Sequence, residues 1–432
     1  MNREPRTGED NSDIPSRSVT ANRDLAGFSV RTQRPGSLLP CRGRCPQIND
    51  VLGGDNGGHG AFRVAYSNFR KRFEQLMAVA DIRINGDRPW DMRVHREETY
   101  PRIFAFGSLG VGESYMDGWW DCEQLDELVC RASRIDLKSH FRPGDIVRAA
   151  HARLINPKGN ASHFAGGAAH YEVGRDLYRG MLDKRMIYSC AYWSGAETLD
   201  EAQENKLVLI ARKLGLEPGM KILDIGCGWG GAIHYFAERY GVSGVAVTIS
   251  PDQFNAAREL CAGLPVDIRL QDYREVDEQF DRSYSIDMLG HVGRRNYRQY
   301  MESVQRCLRP GGLHLAQTAG SENSAVKADP WVDRYIFPGG HIPSPKQIVS
   351  AAEGVLGLED WHCFTPDYDR TFMCWHENLC AIWDQLEHRD DRNLFRMWQY
   401  YLLSFAGVFR SGASQLWQIV FSHAGANGEY IR

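Results

Sequence analysis

Apolar residues recur along this chain at two spacings, and the change from one to the other divides it. Between Ala61 and Ala80 they fall at Phe62, Tyr66, Phe69, Phe73, Met77 and Ala80, which predicts a helix with one buried stripe. Ile82-Arg83-Ile84 alternates as a short strand does, and Asn85-Gly86 marks a turn. A glycine- and aromatic-dense stretch from Leu109 to Trp120 precedes a second amphipathic helix near Leu125 to Arg134. From about residue 170 onward helical spacing alternates with short continuous apolar runs, the pattern of an α/β doubly wound sheet. Ile222, Leu223 and Ile225 form one run, Ser243–Ile249 a second and Val266–Leu270 a third. The stretch from Asn393 to His423 is dense in aromatics at helical spacing, which reads as core.

These patterns predict an N-terminal extension over 1–59, a small, mainly helical domain over 60–155, a Gly/Ala/Asn-rich linker over 156–169 and an α/β domain over 170–432. The extension is rich in Arg, Gly, Ser, Asn, Asp and Pro, with Phe28 almost its only aromatic. Such a composition cannot offset chain entropy by burial, so disorder is expected.

The chemistry concentrates in Lys221-Ile-Leu-Asp-Ile-Gly-Cys-Gly-Trp-Gly-Gly231, where an apolar strand passes directly into glycines and then into a helix, Ala232–Tyr240. Glycines there let the main chain turn sharply and approach a ligand closely. Gly226, Gly228 and Gly231 satisfy a dinucleotide fingerprint, while Asp224-x-Gly226-x-Gly228-x-Gly230 satisfies the S-adenosylmethionine (SAM) version, so the glycines alone do not choose. The ends of the next two strands do. A dinucleotide site needs an acid closing the second strand to hold the ribose. Here that strand ends Thr248-Ile-Ser-Pro-Asp-Gln253, with its only acid beyond the end. The third strand runs into Gln271-Asp272-Tyr273, where a carboxylate can meet an adenine amino group. The expected fold is therefore α/β: a class I SAM-methyltransferase (Rossmann-like) domain with a smaller, mainly helical N-terminal domain.

Composition narrows the partners. A formal net charge of −4, without a basic stripe or a nucleic-acid motif, argues against nucleic acid. No apolar run approaches the ~20 residues of a membrane span. Eleven cysteines are scattered and odd in number, which suits free thiols in a reducing cytoplasm. Cys41-x-x-x-Cys45 lacks a second pair, so no metal site is expected.

Several segments together resemble one family, the bacterial cyclopropane-fatty-acyl-phospholipid synthases and their mycolic-acid relatives. They are Arg83-Ile-Asn-Gly86, Leu109–Trp120, Asp176–Asp183, Tyr188-Ser-Cys-Ala-Tyr-Trp193, Lys221–Gly231 and Val247-Thr-Ile-Ser250. Asp329-Pro-Trp331 with Tyr335-Ile-Phe-Pro338, Asp360-Trp-His362, Asp367-Tyr-Asp369 and Gln415–Ser422 continue the series. The likeness runs from about residue 65 to the C-terminus. It implies SAM-dependent methyl transfer to the cis double bond of an unsaturated phospholipid acyl chain. The π electrons attack the methyl, a carbocation forms, a base removes a proton from the new methyl group, and the ring closes. Such a site must exclude water, and aromatic faces can stabilise the cation by on the order of 1–2 kcal/mol each.

The resemblance also implies partners and residues. The substrate sits in a bilayer, so the protein is expected in the cytoplasm, peripherally on the inner membrane surface, with Trp119-Trp120 as an interfacial edge; a homodimer is compatible with it. Tyr188 and Ser189 would close over SAM, with Asp224, Gly226, Cys227, Gly228, Trp229 and Gly230 in its loop. Thr248, Ser250 and Gln253 would take the ribose edge, and Gln271, Asp272 and Tyr273 the adenine. The family's base is taken to be a caged bicarbonate, and Cys190 and Tyr368 match two cage positions. Two others differ: Gly290 stands where the family has Glu, and Gln317 where it has His. A family cysteine in the C-terminal aromatic helix is Phe405. Gln317 can hydrogen-bond an anion but cannot take up a proton at neutral pH, which leaves His291, beside Gly290, as a candidate base. Three outcomes stay open: ring formation with a modified cage, C-methylation to a branched or hydroxylated chain, or SAM and lipid binding without turnover.

Overall fold

Parallel pairing of short apolar strands builds the centre of the molecule. The computed structural model describes residues 59–155, 174–324, 328–423 and Tyr430; the expected extension up to residue 58 and the expected linker lie outside the described residues. The N-terminal part runs α1 (His59–Val79), β1 (Arg93–Val94), α2 (Thr99–Phe106), α3 (Ser108–Met116), β2 (Trp120–Asp121), α4 (Leu125–Ser133) and α5 (Pro143–Ile155). After α6 (Arg175–Met181) and α7 (Leu199–Leu214) the chain alternates through β3 (Lys221–Ile225), α8 (Gly231–Tyr240), β4 (Ser243–Thr248), α9 (Pro251–Leu260) and β5 (Val266–Leu270). Then come β6 (Phe280–Ile286), α10 (Leu289–Val292), α11 (Tyr297–Cys307), β7 (Leu308–Gly320), α12 (Pro330–Tyr335), α13 (Pro345–Ala352) and β8 (Leu356–Cys363). Two long helices, α14 (Pro366–Ile382) and α15 (Arg392–Ser411), precede β9 (Gln415–His423).

The seven-stranded sheet has the order β5-β4-β3-β6-β7-β9-β8. β5 through β7 are parallel, and β9 runs antiparallel between β7 and β8. β3 is central, which is why Ile222, Leu223 and Ile225 are all buried. Alternate residues face opposite layers. Leu223, Val245 and Val247 pack with Tyr300 and Ile348 on one side, whereas Ile222 and Ala246 pack with Ile210 and Phe236 on the other. A reciprocal Thr198–Glu201 capping box starts α7, and left-handed Gly215 ends it.

The N-terminal helices share a core with the C-terminal ones: Phe69, Tyr100 and Trp120 belong to the same apolar cluster as Trp398, Tyr401 and Phe409. Arg102 is buried between Glu113 at 2.9 Å and Asp117 at 2.6 Å, and Glu113 also accepts from the Tyr335 hydroxyl at 3.0 Å. The Arg396 guanidinium of α15 lies 3.9 Å over the Tyr115 ring.

Three local expectations change. The Ile82–Ile84 strand reduces to a single bridge between Ile84 and Met92, because the Asp91 carboxylate takes the Arg83 N–H at 2.8 Å. The C-terminal helix stops at Gly412, φ +80°, so Trp417 and Phe421 belong to β9 rather than to a helix. Trp120 is not interfacial: it is 1 % exposed and its Nε1 donates to Val111 O and Ser114 Oγ. Trp119 is half-buried under the Arg102 guanidinium, 4.6 Å away.

Close approach of α4 and α15 depends on Gly407, where a Cβ would sit 2.3 Å from Asp126 O and 2.9 Å from Cys130 N. Alanine normally improves a helix interior by about 1 kcal/mol over glycine. Here Gly407→Ala is expected to lose about 1–3 kcal/mol through overpacking, read by urea unfolding; a gain would mean that the two helices can separate freely.

Candidate active site

A cavity of about 630 Å³ opens at the C-terminal ends of β3, β4, β5 and β6, where strand order reverses and open α/β sheets bind ligands. Of the residues expected at SAM, Tyr188, Ser189, Asp224, Gly226, Cys227, Gly228, Trp229, Thr248, Ser250, Gln253, Gln271, Asp272 and Tyr273 all line it. Gly230 does not. It is the left-handed N-cap of α8, φ +87°, and a Cβ there would meet Ala257 at 2.8 Å.

The loop is shaped by hydrogen bonds to one acceptor: the N–H groups of Gly226 and Cys227 both donate to Val247 O at 3.0 Å. Gly226 has φ +82°, which a side chain tolerates poorly, and a Cβ would approach Met288 Sδ at 3.0 Å. Asp224 is buried and accepts from Tyr284 OH at 2.7 Å. Burial pushes its carboxyl up to about 7, and the Tyr284 hydrogen bond draws it back. Ser250 caps α9 by accepting the Gln253 N–H, while Thr248 Oγ1 donates to Gln253 Oε1 at 2.9 Å. These residues therefore hold their own loop as well as edging the cavity. Asp272 is paired with Arg274, another lining residue, whose hydrogen bond keeps its carboxyl below the ordinary range.

The three candidate catalytic residues divide. His291 lines the cavity, its ring edge-on to Phe337 at 5.6 Å, and desolvation lowers its pKa, so it is neutral near pH 7. Cys190 and Tyr368 are buried behind the cavity wall. The Cys190 thiol donates to Ala191 O at 3.2 Å and burial holds its pKa far above the usual value, so it is no thiolate. Tyr368 stacks on Phe372 at 4.5 Å, near Phe409 at 4.6 Å, and its hydroxyl donates to Asp287 Oδ2 at 3.2 Å. The substituted positions have their own geometry. Gln317 Nε2 donates to Cys190 O at 3.2 Å and its Oε1 accepts from Gln418 Nε2 at 3.0 Å, so its amide bridges two structural partners. Gly290 leaves open space: a Cβ there would meet nothing within 4 Å. Phe405 packs on Tyr401 at 4.8 Å and Phe372 at 5.4 Å.

Two charged residues went unnoticed in the sequence. Asp287 follows β6 directly and lines the cavity; an acid at the carboxyl end of an apolar parallel strand was the available signal. Lys206 is fully buried on α7 and donates to Ser189 Oγ at 2.8 Å. Its signal was a cation on the core-facing stripe between Ala202 and Ile210. Burial lowers its pKa to about 8, against the pull of Asp183, Cys190 and Asp287.

Sheet order, glycine loop and a cavity at the switch point define a class I SAM-dependent methyltransferase. Residues 159–419 match the family described as mycolic acid cyclopropane synthetase. The chain is 46% identical over 365 residues to the cyclopropane-fatty-acyl-phospholipid synthase of Escherichia coli (strain K12), covering 84% of this chain and 95% of that protein. It is 32% identical over 360 residues to tuberculostearic acid methyltransferase UfaA1 of Mycobacterium tuberculosis (strain ATCC 25618 / H37Rv), covering 75% and 81%. Among solved structures it is similar to mycolic acid cyclopropane synthase CmaA1 complexed with SAH and CTAB, with TM-score 0.55 and 30% identity over 60% of this chain and 98% of that one. The chain belongs to the mycolic acid cyclopropane synthetase family.

Lys206 has a testable part in this geometry. Burial pushes the Asp287 carboxyl up to about 6 and the Lys206 ammonium down to about 8, so both are charged at pH 7, whereas at pH 5 the Asp287 carboxyl is mostly neutral and needs no cation. Lys206→Met is expected to lower the melting temperature by several degrees, and by more at pH 7 than at pH 5. Equal losses at both pH values would show that the ammonium does not stabilise the carboxylate.

Proposed function

We propose that this protein methylates the cis double bond of unsaturated phospholipid acyl chains with SAM and closes a cyclopropane ring. The observation that carries this reading is the similarity to a cyclopropane-fatty-acyl-phospholipid synthase over 95% of that protein's length, joined to a cavity lined in part by the rings of Tyr178, Tyr188, Trp229 and Tyr273. Bound SAM supplies an electrophilic methyl group. Tyr188, Ser189, Asp224, Gly226, Cys227, Gly228 and Trp229 would hold it, with Thr248, Ser250 and Gln253 at the ribose and Gln271, Asp272 and Tyr273 at the adenine. The residues fit that role: left-handed glycines open the loop, and Asp224 and Gln253 offer polar groups at its two edges. Next to Tyr188, whose hydroxyl meets Tyr401, the rings of Tyr368, Phe372, Tyr401 and Phe405 pack on one another, an aromatic surround of the kind that shields and stabilises a positive charge.

Gly290 and Gln317 favour a second reading, in which the same methyl transfer ends in a methyl-branched or hydroxylated chain. Mass spectrometry of acyl chains after incubation with SAM and cis-unsaturated phospholipid vesicles decides between them. Cyclopropane chains are expected from the wild type and none from Gly226→Val, which calorimetry should show to have lost SAM. Branched or hydroxylated products would favour the second reading, and no methylated lipid would overturn both.

A lipid substrate requires contact with a bilayer, and no helix among the described residues is long and apolar enough to cross one. We propose that α5 makes this contact at the inner membrane surface, because Ile146, Val147 and Leu154 are exposed along it, with Phe141 exposed just before it. Ile146→Asp with Val147→Asp is expected to reduce co-sedimentation with phospholipid vesicles several-fold while leaving SAM affinity unchanged. Undiminished co-sedimentation would remove α5 from this role.

A further inference from the structure

We propose, on the cyclopropanation reading above, that the Asp287 carboxylate replaces the caged anion in this protein and is itself the base that closes the ring. Asp287 lines the cavity at the end of β6, next to Ile286 and Met288. Its Oδ2 accepts from Tyr368 OH at 3.2 Å, and the nearby Ala319 N–H, like that hydroxyl, favours its ionised form. Cys190 and Lys206 are close enough for their charge states to couple to it. Tyr368 and Cys190 are the two residues that the family resemblance assigns to the anion cage; Tyr368 donates to this carboxylate, and the Cys190 thiol, turned to Ala191 O, lies close enough to feel its charge.

A carboxylate and a bicarbonate share a planar O–C–O group and a single negative charge. A second anion beside Asp287 would meet like-charge repulsion in a site that is already poorly solvated. The family's anion cage therefore does not fit the residues present. The two changes that removed its other groups agree with this: Gly290 contributes no side chain, and the Gln317 amide is engaged by Cys190 O and Gln418. The built-in carboxylate also has unused capacity. Asp287 Oδ1 is shielded from solvent and accepts no hydrogen bond. Its backbone is left-handed, φ +58°, and is fastened by an N–H donated to Gln317 O at 2.8 Å, so the side chain is held where a strand would not otherwise direct it. Burial pushes the carboxyl up to about 6, which leaves it ionised yet proton-accepting near neutral pH.

The reaction balances with this group alone. The alkene π pair forms the bond to the incoming methyl carbon while the departing sulfur keeps the C–S electron pair. The positive charge falls on the other alkene carbon. Asp287 takes one proton from the added methyl, the C–H pair closes the third ring bond, and the proton passes to solvent when the site opens.

The test uses the full-length protein and two variants whose side chains tolerate a left-handed backbone, Asp287→Asn and Asp287→Gly, with dioleoyl phosphatidylglycerol vesicles and SAM in buffer stripped of carbon dioxide. The wild type is expected to form rings equally with and without added bicarbonate. Both variants are expected to lose ring formation by about 10²-fold or more while calorimetry shows SAM affinity within a few-fold of wild type, and added bicarbonate or formate should restore part of the activity of Asp287→Gly. A second readout needs no turnover: bicarbonate should raise the melting temperature of Asp287→Gly and leave the wild type unmoved. Bicarbonate-dependent ring formation by the wild type, undiminished activity in Asp287→Asn, or an equal bicarbonate shift in wild type and Asp287→Gly would each overturn the proposal. If no protein methylates lipid, the cyclopropanation reading fails on its own, and the melting shift still decides whether Asp287 occupies the anion's place.

Discussion

Everything at the site depends on β3 being held between two parallel neighbours. Its register sets Asp224 opposite Ala246 on one side and Tyr284 on the other, and the Tyr284 hydroxyl then reaches the Asp224 carboxylate. Because β5, β4, β3 and β6 run in one direction, their carboxyl ends release four loops along a single edge. The glycine loop, the Thr248–Gln253 cap, Gln271–Tyr273 and Asp287 arrive together for that reason alone. A one-residue slip would turn every side chain to the opposite face, removing Asp224 from the cavity and placing Leu223 or Ile225 there.

Enclosure is the second constraint. Asp183, Asp224 and Lys206 are each almost wholly out of solvent, and Asp287 keeps one oxygen so. In such surroundings a charge interacts more strongly and is also costlier to leave unpaired. That cost accounts for the partners. Asp183 accepts the N–H groups of Ile187 and Arg185, Asp224 accepts from Tyr284, and Asp287 accepts from Tyr368. The same dryness suits a reaction that passes through a carbocation, which water would capture.

The wall that keeps the site dry is made by residues far apart in the chain. α15 packs against α4 through Gly407, and Gly112 of α3 leaves room for the Trp331 ring at the start of α12. Arg396 reaches from α15 to the Tyr115 and Trp120 carbonyls. The N-terminal helices thus brace α15, whose Tyr401 hydrogen-bonds Tyr188 at the cavity. The buried indole of Trp120 is part of that brace, which is why it has no face left for a membrane.

Short-range patterns by themselves determined β3, β4 and β5, the glycine loop and the passage into an α/β sheet, and the motifs shared with the family marked the cavity lining expected at SAM from Tyr188 to Tyr273, Gly230 excepted. Strand burial and glycine turns are properties of a few consecutive residues, so they can be read in a line. Only the tertiary structure decided what the substituted cage residues do. Tyr368 meets Asp287 across 81 positions, Gln317 meets Cys190 across 127, and Tyr188 meets Tyr401 across 213. The segment beginning at Met288 looked short of a carboxylate because the compensating acid lies one residue earlier, on a left-handed backbone that turns it toward a tyrosine from another helix. No spacing rule reports such a contact, because it is made by the packing of α14 on the sheet and not by the chain around Asp287.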